Sequence, residues 1–332
     1  MPIIAHSDLP SFDVLRSDGV AIVDASARNR DLRDLRIGLL NLMPDAALQA
    51  TERQFMRLVS AYGDSANLFV IPFAVRADYR AEIANEHIEH FYSTFSSLRD
   101  TGLDALIITG SNPVAEDITT ESFWEPMIEV IEWGRTNAES VLCSCLATHA
   151  VMHHYHETPR AELPVRQWGV YPHEILVRDH PLLEGVEAPV QAPHSHRYAV
   201  SREAMERSGV TVLADSAEAG VHLAVDNCGS NFVFFQGHPE YDAISLLKEY
   251  KREVQRFLAG ARQTYPLFPE HYFDDAAKGL LNAYQRQVTE SDFEQATIPP
   301  FPEEVLTPAC VDTWRAAGMR IYANWLAGID RS

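Results

Sequence analysis

The sequence predicts an α/β fold: a doubly wound, mostly parallel sheet flanked by helices. Two observations carry this. Short, unbroken apolar runs of strand length recur along the chain, and segments with a one-sided apolar stripe fall between them without any internal repeat. A continuous apolar run is the pattern of a strand buried on both faces, and strands that alternate with helices are joined by crossovers, which makes their pairing parallel.

Taken in order, residues 1–35 are of mixed polarity with one short apolar run, and are expected to form an arm that wraps the domain. The core is expected to begin at Arg36, where RIGLLNLM (36–43), stopped by Pro44, reads as a buried strand. LQATERQFMRLVSAYG then places Phe55, Leu58 and Val59 on one helical face and closes on Gly63, and NLFVIPF (67–73) reads as a second strand. DALIIT (104–109) is a third strand ending at Gly110, and the stripe Trp124, Met127, Ile128, Ile131 predicts the helix that follows. VLCSC (141–145) is a fourth strand, running straight into the helix LATHAVMHHYH, and FVFFQG (232–237) is another, followed by the long amphipathic segment YDAISLLKEYKREVQRFLAG. Residues 36–263 therefore read as one α/β core. Residues 264–332, rich in Pro and aromatics before a last helix, read as a cap packed on it. In such folds ligands sit beyond the carboxyl ends of the strands.

Of the 332 residues, 46% are hydrophobic and 22% charged, the balance of a globular protein. No stretch approaches the roughly 20 apolar residues of a spanning helix, and the start MPIIAHSDLPSFD lacks the features of a signal peptide, so a cytoplasmic location is expected. The four cysteines, Cys143, Cys145, Cys228 and Cys310, are too scattered for a disulfide framework and are expected reduced. A formal net charge of −20 disfavours nucleic acid and acidic membrane surfaces as partners. It also means that an anionic substrate needs a local island of Arg side chains or backbone N–H groups.

Cys145 stands at a strand-to-helix junction beside Ser144 and Ala147. A nucleophile on such an elbow faces the helix N-terminus, where the dipole favours a thiolate and free N–H groups stabilise an oxyanion. The bland alternative is a buried structural cysteine, the reading preferred for Cys143 on the strand itself. In GHPEYD (237–242) a strand ends and presents His238 and Glu240, two residues apart and able to face one side. His238 would take the thiol proton and Glu240 would orient the imidazole, the arrangement of a Cys, His, Glu triad. His149 and His153 have the i, i+4 spacing of a zinc pair but no accompanying carboxylate motif, so no metal is expected.

The runs NLMP (41–44), TERQF (51–55), GVY (169–171), APHS (192–195), GHPEYDA (237–243) and NWL (324–326) resemble, in this order, the homoserine O-acyltransferase family. That family is a relative of the class I glutamine amidotransferases with a flavodoxin-like core. The resemblance implies Cys145 as acyl-carrying nucleophile, His238 as general base and Glu240 as its partner. It implies substrate contacts from Ser195, from Arg252, and from Arg166 where the family usually has a lysine. Arg166, Arg197 and Arg252 would form the positive island. The implied reaction is ping-pong succinyl transfer from succinyl-CoA to the hydroxyl of L-homoserine in methionine biosynthesis, with the N–H of Leu146 and one from the loop 110–112 as oxyanion donors. No cofactor is implied beyond acyl-CoA as co-substrate, and a homodimer is the family-based expectation.

The sequence departs from the family pattern in two places. Asp45 and Ala46 replace two lysines after NLMP, and GSNPVAED (110–117) replaces a shorter loop in which one residue selects the acyl donor. That residue aligns with Val114, Ala115 or Glu116. Either of the first two leaves no carboxylate to repel succinate, whereas Glu116 would favour acetyl-CoA; succinyl is the expected donor. Serine as acceptor stays open, because one methylene discriminates weakly. A glutamine amidotransferase would normally flank its nucleophile with glycines, unlike Ser144 and Leu146 here. A thiol sensor or binding protein on the same fold would need Cys145 but neither His238 nor Glu240.

Overall fold

The computed structural model describes residues 2–63, 65–75, 80–113, 115–226, 231–290 and 298–330. Its strands are β1 (Ile3–Ala5), β2 (Ile22–Asp24), β3 (Arg33–Leu40), β4 (Ala66–Phe73), β5 (Ala105–Ile108), β6 (Ser140–Ser144), β7 (Ala161–Ile175), β8 (Val190–Ala199), β9 (Val210–Ser216), β10 (Gly220–Asp226) and β11 (Phe232–Phe235). The helices are α1 (Pro10–Ser17), α2 (Leu48–Val59), α3 (Glu82–Phe91), α4 (Phe95–Thr101), α5 (Trp124–Asn137), α6 (Leu146–His156), α7 (Arg202–Arg207), α8 (Ser245–Leu258), α9 (Asp275–Glu290), α10 (Glu303–Leu306) and α11 (Arg315–Asp330).

The strands join in the order β2-β1-β4-β3-β5-β6-β11-β10-β9-β7-β8. Pairing is parallel from β2 to β11 and antiparallel from β11 to β8. Within the parallel part, β4-β3-β5-β6-β11 has the 2-1-3-4-5 order of flavodoxin-like folds, whose winding reverses between the first and third strands and opens a crevice there. β5 and β11 are buried at every residue, as both faces are covered. On one face Leu39, Ile107, Leu142 and Phe235 pack with Phe55 and Leu58 of α2 and with Tyr322 and Trp325 of α11. On the other, Leu40, Ile108, Cys143 and Phe234 pack with Met127 and Ile131 of α5 and with Val151 of α6. A third cluster, built around Trp168, Leu246, Tyr250, Phe273 and Trp314, seats the C-terminal segment. Among the described residues no helix is long and apolar enough to cross a membrane.

The first 35 residues do more than wrap the domain. β1 and β2 extend the sheet, with Ile3 in register with Leu68 of β4, and α1 buries Phe12 and Leu15. β3 itself starts at Arg33. A three-residue strand is too short to show any hydrophobic period, which is why this edge reads as irregular. The antiparallel strands β7 to β10 were likewise not anticipated.

Candidate active site

β6 ends at Ser144 and α6 opens at Leu146, so Cys145 alone makes the turn, with φ 50° and ψ −106°. A residue with a side chain adopts such a left-handed φ at a cost of about 1–3 kcal/mol, and does so where its surroundings hold it. The hold is visible. Cys145 N–H donates to the Phe235 carbonyl at 2.7 Å, and Thr148 Oγ1 lies 3.0 Å from the carbonyls of both Cys143 and Phe235. Phe235 ends β11, so the elbow and His238 three residues later hang on one strand end. From β5, Gly110 closes in on the same atom: a Cβ there would sit 3.3 Å from Cys145 Cβ and 3.9 Å from its Sγ. Leu146 begins the helix, and the first N–H groups of a helix have no acceptor within it.

His238 is buried and fixed from several sides. Its N–H donates to the Pro193 carbonyl at 2.7 Å, its Nδ1 lies 2.7 Å from Glu240 Oε1, and its ring stacks on Tyr241 at 4.4 Å. Its imidazole also couples electrostatically to the Cys145 sulfur. Burial by itself would disfavour the imidazolium, but the Glu240 carboxylate and the Cys145 sulfur outweigh it and hold the His238 pKa well above the ordinary value. Cys143 is completely buried, and burial pushes its thiol pKa far up, which makes it a core residue.

Behind His238 lies a row of imidazoles. A Cβ at Gly237 would come within 2.6 Å of His222 Nδ1 and 2.8 Å of His194 Nε2, so only glycine lets the strand end pass. His194 lies between His173 (3.0 Å) and His196 (2.9 Å), and the outer two reach the carbonyls of Val190 (3.2 Å) and Tyr198 (2.8 Å). Burial pulls the pKa of His173 and of His196 down to about 4, and those of His194 and His222 well below the ordinary value. The row is neutral at pH 7. His194 and His196 are buried and face inward from β8.

Ser195 faces the other side. Its Oγ donates to Glu249 Oε2 at 2.7 Å and accepts from Arg166 at 2.6 Å, and Arg166 also meets Glu249 Oε2 at 2.9 Å. Trp168 Nε1 donates to that oxygen too (2.9 Å), while Tyr241 OH donates to Oε1 (2.8 Å). The network runs from Arg166 through Glu249 to the ring stacked on His238. Glu249 and Tyr241 were missed from sequence. Glu249 stands one turn before Arg252 on α8, an i, i+3 spacing that could have marked it.

The three arginines expected to form a positive island separate. Arg166 joins the network, whereas Arg197 and Arg252 have side chains 63% and 54% exposed, each 3.8 Å from a glutamate (Glu162 and Glu253). Ala115 and Glu116 offer their carbonyls to Arg160 (3.2 and 2.9 Å), and Val114 lies outside the described residues, as does Cys228. Asp45, standing where the family has lysine, accepts from Arg80 (3.0 Å) and from the Ala81 N–H (2.8 Å), so the loop's charge is used within the fold. His149 is buried against Gln236 Oε1 at 3.1 Å, with its pKa drawn down to about 3 chiefly by burial, and His153 turns to the Trp124 ring.

The sequence model of the homoserine O-succinyltransferase family matches residues 2–329. The chain is 48% identical to the homoserine O-succinyltransferase of Allochromatium vinosum over 327 residues, covering 98% of this chain and 92% of that protein. It is 44% identical to the enzyme of the same name from Nitrosococcus oceani over 330 residues, 99% of this chain and 92% of the relative. Among solved structures it is similar to a glutamine amidotransferase from Methylobacillus flagellatus, with a TM-score of 0.47 and 12% identity over 90% of this chain and 95% of the other.

Proposed function

Because the chain belongs to the homoserine O-succinyltransferase family of acyltransferases, we propose that it moves a succinyl group from succinyl-CoA to the hydroxyl of L-homoserine through an acyl-Cys145 intermediate. The observation that supports this reading most is the meeting of Cys145, His238 and Glu240 at one strand end, where Glu240 fixes the imidazole and the nucleophile's elbow hangs on the same strand.

The Cys145 thiolate attacks the thioester carbonyl, and the oxyanion is met by the N–H of Leu146 and by the backbone after Gly110. As the bond to the CoA sulfur breaks, His238 gives its proton to that sulfur. Cys145 is now a neutral thioester, so its hold on the His238 proton is gone and the ring, still oriented by Glu240, becomes a base. His238 then takes the homoserine hydroxyl proton as the oxygen attacks the acyl-enzyme, and cleavage of the S–C bond restores thiolate and imidazolium. Arg166, Ser195 and Glu249 present a cation, a hydroxyl and an anion, the complement of a zwitterionic amino acid, with Arg252 a further cation for its carboxylate. The step needs no resident metal or cofactor, since coenzyme A arrives as part of the co-substrate.

Intact mass after brief mixing with succinyl-CoA and no acceptor tests this. We expect a gain of one succinyl group on Cys145, lost on adding homoserine and absent in Cys145→Ala. No gain from either succinyl-CoA or acetyl-CoA would overturn the covalent route.

A further inference from the structure

Resting on succinyl transfer as proposed above, we infer that Arg160 selects the acyl donor: its guanidinium pairs with the free carboxylate of the succinyl chain carried on Cys145. Arg160 immediately precedes β7, outside the loop expected to choose the donor. Its NH2 group nevertheless donates to that loop's carbonyls at Ala115 (3.2 Å) and Glu116 (2.9 Å). The same loop begins at Gly110, which touches the nucleophile. The guanidinium carbon lies 4.0 Å over the Tyr198 ring, which fixes the plane of the fork.

The rest of the fork is unspent. Arg160 Nε is buried without a hydrogen-bond partner, and among the described residues neither a bond from NH1 nor an ion pair within 4.0 Å is found. Two carboxylates couple to it from farther away, but Glu121 Oε1 accepts from the Ala115 N–H at 2.6 Å and Asp117 Oδ1 from Thr119. The cation also couples electrostatically to Cys145. A half-buried cation with no ion pair within 4.0 Å among the described residues is costly, and it persists where a ligand brings the anion. Succinate bound to Cys145 extends a carboxylate two methylenes beyond the thioester carbonyl, whereas acetate extends nothing. In a chain of net charge −20 an anionic donor requires such a cation beside the nucleophile. Charge-assisted hydrogen bonds of this kind discriminate by about 10- to 100-fold.

The test compares kcat/KM for Cys145 acylation by succinyl-CoA and by butyryl-CoA, an uncharged donor of the same chain length. We expect a succinyl preference in the natural protein that falls about 30-fold in Arg160→Gln and less in Arg160→Lys, which keeps the charge but not the fork. Thermal melting verifies folding, and if the glutamine variant does not fold the lysine variant decides. Equal slowing with both donors, or an unchanged preference, overturns the role of Arg160 while leaving succinyl transfer intact. Failure of the natural protein to accept succinyl-CoA would overturn both.

Discussion

The strands β3, β5, β6 and β11 bring chemistry to the cleft through the backbone at their ends, whereas β7 to β10 bring it through side chains along their length. In the parallel half, β5 and β11 are apolar throughout, and the active groups appear only where the strands stop: Gly110, Cys145 and, after β11, His238 with Glu240. In the antiparallel half, polar residues sit within the strands themselves, with Ser195 and Arg166 toward Glu249 and the imidazoles toward the interior. The first arrangement suits bond making, because strand ends and helix starts supply fixed dipoles. The second suits recognition and support, because alternate residues of a strand address two faces at once.

If this division holds, substitutions in the two halves affect different constants. The largest effect is expected from Glu240→Gln: the hydrogen bond to His238 Nδ1 loses its charge, and kcat should fall about 10³-fold with little change in KM for the acceptor. A comparable rise in KM instead would erase the distinction. Glu249→Gln removes the charge on which Arg166, Ser195 and Trp168 converge, and should raise the acceptor KM about tenfold with a smaller change in Cys145 acylation. Steady-state and single-turnover rates, measured side by side, separate these outcomes.

The smallest expected effect concerns acid stability. His173 and His196 are held down to about 4 and His149 to about 3 by burial, so each is neutral in the fold well below the 6.5 of a free imidazole. Between pH 6.5 and about 4 the unfolded chain binds protons that the folded chain refuses, so stability falls as the pH falls through this window. Melting temperature should decline there, and His149→Gln should make the slope shallower. A flat profile would remove the neutral-row description.

The same contrast explains what could be read from sequence. RIGLLNLM, DALIIT, VLCSC and FVFFQG announced β3, β5, β6 and β11 because a strand covered on both faces needs an unbroken apolar run. β7, β8 and β10 stayed hidden because their inward positions include His173, His194 and His222, polar residues that erase the two-residue alternation, and because Pro172 and Pro193 interrupt the pattern. Of the site, the elbow and the HPE turn were legible since each is local. Glu249 and Arg160 were not, since most of their partners come from elements far apart in the chain.

Gly318 of α11 lies against Pro239, where an added Cβ would approach the proline ring to 3.0 Å. Pro239 sits between His238 and Glu240, so α11 braces the triad turn from outside, and a larger residue at position 318 would press on the loop that aims the imidazole.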